Sequence, residues 1–127
     1  MGKEDHLTKQ INQLGAFLQR LKEKLLGGGS NAKEMETNFD VEKALSEELG
    51  VVFEFIEKAS EEALLSFLDG NIAYTPKNIE LLADVLVSAN AEKYASRALS
   101  LYQYVNAKTK EFSFERESKI KEIQRYL

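Results

Sequence analysis

Residues 74–109 read YTPKNIELLADVLVSANAEKYASRALSLYQYVNAKT, and this stretch decides the fold. Thr75 followed by Pro76 is a helix start. A threonine hydroxyl caps the first free amides, and proline suits the first helical position because no N–H is needed there. Apolar residues then recur at helical spacing through Leu82, Val85, Leu86 and Ala89. A short turn around Asn90 separates this run from a second helix over residues 91–109, which carries Ala98, Tyr102 and Val105. Two helices joined so closely are expected to pack antiparallel, the small residues letting the backbones approach and the aromatic filling the gap.

The rest of the chain extends the helical reading. It holds one proline, and no segment alternates polar and apolar residues over six or more positions, so the expected class is all-α. Ser113 caps a closing helix with Ile120, Ile123 and Leu127 on its inner face. Upstream, VVFEFIEKA has strand-like composition, but its continuation into SEEALLSFLDGN places Val52, Ile56, Ala59, Ala63 and Phe67 on one helical face. Ser60 before Glu61 and Glu62 marks a fresh helix start, with Gly70 as its C-cap. A further helix is expected near Asp40, capped by that residue or by Asn38, presenting Val41, Ala44, Leu45 and Leu49 until Gly50.

The expected organisation is therefore an amphipathic helix over residues 1–26, a flexible glycine-rich connector over 27–37, and a helical domain over 38–127. In the first helix, running from about residue 4 with Gly27 as its stop, Leu7, Ile11, Leu14, Leu18, Leu21 and Leu25 recur at spacings of three and four. Phe17 and Leu26 widen the stripe, while Gly15 weakens the helix by ~1 kcal/mol relative to alanine. Burying six such side chains contributes ~10 kcal/mol before entropy, at ~1.5–3 kcal/mol each. That area has three possible covers: the helical body of the same chain, a second copy reached by pairing or by exchange across the glycines, or a membrane interface. The amide-rich polar face, with Glu4, Asp5 and Glu23 among its cations, disfavours the membrane.

Composition narrows the classes further. The 127 residues are 43% hydrophobic and 30% charged, ordinary values for a folded soluble chain. The absence of cysteine removes disulfides, thiolate metal sites and cysteine nucleophiles, and suits a reducing cytoplasm. The N-terminus reaches charged residues before any apolar block, unlike a secretory signal, and His6 stands where a myristoylation motif needs serine or threonine. Net charge is −4 but uneven: +1 over residues 1–38, −9 over 39–92 and +4 over 93–127. An acidic middle beside a basic tail favours contact between the two, within one chain or between chains; the alternative is plain solvated helix faces.

Reactive constellations are missing. His6, the single histidine, sits near the chain start and reads as a solvated side chain. Glu47/Glu48 and Glu61/Glu62 are sequence neighbours, which on a helix point about 100° apart and do not pair. The GGGS run follows a helix instead of opening one, so it is not a phosphate cradle. No enzyme, cofactor or metal is expected. The tail cations Lys108, Lys110, Arg116, Lys119, Lys121 and Arg125 are interleaved with Glu111, Glu115, Glu117 and Glu122, so no nucleic-acid partner is expected either. Tyr94, Tyr102 and Tyr104 read as core and rim aromatics.

The pattern Leu82, Val85, Leu86, Ala89, Ala98, Tyr102 and Val105 resembles a tetratricopeptide-type helical hairpin, a resemblance covering roughly residues 75–127. It departs from that pattern at Leu86, where such repeats usually have glycine, and lacks the customary proline before a next repeat. Over its whole length the chain also resembles an uncharacterised family of small bacterial proteins, through DHLTKQINQLGAFL, SEEALLSFLDGN and ALSLYQY. Some tetratricopeptide domains clamp a peptide carboxylate on the first-helix groove face. Here that face offers Glu80, Ala83, Asp84 and Val87, which would repel an anion. The resemblance thus implies a fold, a small helical bundle with an antiparallel hairpin, and no activity. The expected role is a non-catalytic protein-interaction module, a homo-oligomer self-associating through the N-terminal stripe. The alternative is a small-molecule or peptide carrier, with a pocket between that helix and the body lined by Phe53, Phe67 and Tyr74.

Overall fold

The computed structural model describes residues 2–27, 54–56 and 58–127, with side chains from 7 to 25 and over the last two ranges. The expected helix near Asp40, the connector beyond Gly27, and the side chains of His6, Leu26, Val52 and Phe53 lie outside these residues. Four helices are described: α1 (Gly2–Gly27) and, after a helical turn at 54–56, α2 (Glu61–Asp69), α3 (Pro76–Thr109) and α4 (Phe114–Gln124). The described residues form an all-α bundle.

The starts of α2, α3 and α4 are chemically marked. Ser60, Thr75 and Ser113 hydroxyls accept hydrogen bonds from the amides of Ala63, Asn78 and Arg116 at 3.1, 3.3 and 3.1 Å. Such a cap contributes about 1 kcal/mol to its helix. α3 is broken at Asn90 (φ −164°, ψ 94°), whose side chain accepts from the Lys93 amide at 3.0 Å and so caps the second arm. The arms 76–89 and 91–109 fold back on each other, because the Tyr102 hydroxyl reaches Asp84, eighteen positions away. In one straight helix those residues would stand ~27 Å apart.

The first arm is the centre of the molecule. Asn78, Ile79 and every residue from Leu81 to Leu86 are buried, as expected for a helix covered on all sides. α1, α2 and α4 all pack on α3. α1 brings Phe17 and Leu18 into the core, flanked by Leu14 and Leu21. The sequence left open whether α1 docks on its own body; among the described residues it packs on α3 of the same chain.

Four expected inward positions differ. Ala89 is exposed, because it is the last residue before the Asn90 break, where the arms part. Leu127 is 65% exposed, since α4 ends at Gln124 and the chain leaves its packed face. On α2 the buried pair is Leu64 and Leu68, while Ala63 and Phe67 are exposed. The Ser60 cap restarts the helix there, so a phase carried across it from Ile56 does not hold.

Candidate functional site

Glu80 and Asp84 lie four residues apart on the first arm, on the face where α1, the second arm and α4 converge. Asp84, only 6% exposed, is held from three sides. The Tyr102 hydroxyl donates to its Oδ1 at 2.5 Å, and the Lys22 and Lys119 ammoniums donate to its Oδ2 at 3.0 and 3.1 Å. Glu80 accepts from Lys119 at 2.9 Å and from Arg116 Nε at 3.3 Å. Arg116, itself buried, also donates to the Asn106 side chain at 3.1 Å, so one guanidinium joins α4 to both arms.

Electrostatics follow from this packing. Burial disfavours the Lys119 ammonium, but its hydrogen bond to Glu80 and the charge of Asp84 outweigh that and hold its pKa above the usual lysine value. The Tyr102 phenol is pushed well up by burial first, then by its bond to the Asp84 carboxylate. At neutral pH the phenol is a donor and the lysine a cation. The charge-assisted bonds in the cluster are therefore fully formed there.

A second ion cluster is peripheral. Asp69 at the end of α2 accepts from Lys108 at 2.8 Å and from the Tyr104 hydroxyl at 2.6 Å, pinning α2 to the second arm. The Lys108 bond, then the Tyr104 bond, hold the Asp69 pKa below its usual value. Being exposed, this pair contributes little to stability. Both clusters bring the basic tail against the acidic middle inside one chain, the contact that the uneven charge pattern favours.

Beside Asp84 a cleft of ≈ 360 Å³ opens between α1, α3 and α4, walled by Val87, Tyr102 and Ile123, with Lys22 and Lys119 at its polar end. It lies between α1 and the body, but its walls are not the aromatics expected there. Tyr74 is buried, Phe67 is exposed with its ring 6.4 Å from that of Tyr74, and Phe55 packs against Phe67 at 5.2 Å with the rings tilted by 42°.

The stripe residues are divided by the fold. Leu18 is fully buried, Leu7, Ile11, Leu14 and Leu21 are half-buried, and Leu25 is 41% exposed. Of the hairpin positions, Leu82, Val85, Leu86, Ala98, Tyr102 and Val105 meet in the core. Sequence reasoning missed the cations: Glu80 and Asp84 read as repelling an anion, yet Lys22, Arg116 and Lys119 arrive from other elements and reverse the local balance. An aspartate inside the apolar run LLADVLV was the available signal, since a buried carboxylate demands partners.

Among the described residues no helix is long and apolar enough to cross a membrane, and no three His, Cys, Asp or Glu side chains gather as a metal site. Comparison with family models, curated proteins and solved structures returns no match.

Proposed function

We infer that the protein is a non-catalytic, cytoplasmic protein-interaction module of tetratricopeptide-like build that self-associates through α1. The observation that carries this reading is the incomplete cover on the stripe: Leu18 is sealed, its four neighbours are half-buried and Leu25 is 41% exposed. Apolar surface of this kind, rimmed by polar residues such as Gln19 and Glu23, marks contact sites. A second copy presenting the same stripe would cover both, the two-fold arrangement most homo-oligomers adopt.

The test is light scattering of the full chain beside Leu25→Lys, a change at an exposed position. Removing residues 1–30 is unsuitable, because Phe17 and Leu18 belong to the core. The parent chain should show a mass that rises to a dimer with concentration, and the variant should stay monomeric with an unchanged helical spectrum. A parent chain monomeric throughout would overturn the reading.

The cleft beside Asp84 favours a second reading, a carrier of a small molecule. Its volume, ≈ 360 Å³, falls at the lower end of the ~300–1,000 Å³ of small-molecule sites, and apolar walls with a few convergent polar groups are their usual make-up.

A further inference from the structure

We propose that the cleft between α1, α3 and α4 binds a small carboxylate with an apolar tail, its head group on the Lys22 ammonium. The inference rests on the carrier reading and names the ligand class.

Hydrogen-bond capacity decides the sign of the head group. Both oxygens of Asp84 are already engaged, by Tyr102 on one side and by Lys22 and Lys119 on the other. Glu122 on the rim is paired with Arg125 at 3.3 Å. Lys119 spends two donors, on Glu80 and Asp84, whereas among the described residues Lys22 spends one of its three. Among the described charged groups that line the cleft, Lys22 therefore keeps the most donors to spare, while the Ser88 and Ser118 hydroxyls on the wall can serve a head group of either sign.

Charge gives the same answer. Lys22, Lys119, Arg116 and Arg125 against Asp84, Glu80 and Glu122 leave one positive charge in excess. A single anion neutralises it; a dianion overshoots. Lys22 is 24% exposed, enough for a ligand to reach it while most of its surroundings remain protein. Such partly desolvated, charge-assisted bonds are about twice as strong as neutral ones. The tail lies against Val87, Ile123 and the Tyr102 ring, whose hydroxyl is already engaged by Asp84.

The experiment is calorimetric titration of the full chain with octanoate and, separately, with 1-octanol, the same tail without the charge. Lys22→Met removes the head-group donor. Ser118→Trp, at an exposed position on the cleft wall, fills the tail site. Octanoate should bind about tenfold more tightly than octanol. Lys22→Met should bring octanoate down to the octanol level while leaving octanol unchanged, and Ser118→Trp should abolish both. Equal binding of the two probes, or octanoate binding untouched by Lys22→Met, overturns the charge selection while the carrier reading survives. Binding of neither probe, or binding indifferent to Ser118→Trp, overturns the carrier reading as well.

Discussion

At Gly15 the α1 backbone approaches α3 so closely that a Cβ would lie 2.8 Å from the Asn78 Oδ1. Asn78 has no room to swing away. It is 2% exposed, and its amide donates to the Ile11 carbonyl of α1 at 3.0 Å and to the Ala73 carbonyl at 2.8 Å. A glycine read from sequence as a weak point in α1 is thus the seat of an asparagine that ties two helices together. Gly15→Ala gains ~1 kcal/mol of helix propensity, but the clash costs ~1–3 kcal/mol and endangers two buried hydrogen bonds of ~1 kcal/mol each. A net loss of about 1–2 kcal/mol is expected, read from the urea midpoint. A variant more stable than the parent would mean that the asparagine yields and the contact is dispensable.

Among the elements, α3 and its exit show how local chemistry and packing divide the work. Nothing in VSANAEKY forbids a continuous helix, since glycine and proline are absent. The break at Asn90 is held by its cap on Lys93 and by the burial of Leu82, Leu86, Ala98 and Leu101 between the arms. At the far end Lys110 is left-handed (φ 56°, ψ 21°), with its amide bonded to the Asn106 carbonyl at 2.9 Å. A residue with a Cβ pays ~1 kcal/mol there, and glycine does not. Lys110→Gly should therefore raise the melting temperature by a few degrees, seen by circular dichroism, without altering helix content. A lower melting temperature would show that the lysine side chain matters more than its backbone.

For the molecule as a whole, the junction at Asp84 joins three helices and should set the alkaline limit. The folded-state pKa values of Tyr102 and Lys119 are raised above the ordinary 10.0 and 10.5. Groups raised in this way stabilise fully below the unfolded pKa and lose that contribution as pH climbs through and beyond it. Stability should accordingly be flat to about pH 9 and fall above about pH 10. Tyr102→Phe should cost about 1–2 kcal/mol at neutral pH, from a buried hydrogen bond to a charged acceptor. The gap between parent and variant should narrow as pH rises above about 10, because only the parent's unfolded state gains by ionising the phenol. A gap constant across that range in urea titrations would refute the assignment.

Caps, helix spans and the hairpin were legible in the sequence because their causes are local: a Ser60, Thr75 or Ser113 hydroxyl reaches an amide three residues on, and apolar spacing repeats within one helix. The uneven charge of the acidic middle and basic tail favoured contact between them, without saying which residues would pair or whether within one chain. Which residues are covered was settled only in three dimensions. Leu25, Ala89 and Leu127 stand at helix ends, where coverage depends on how neighbours cross. Lys22, Asp84 and Lys119 come from three helices, and periodicity within one helix carries no information about the side chains another will set beside it.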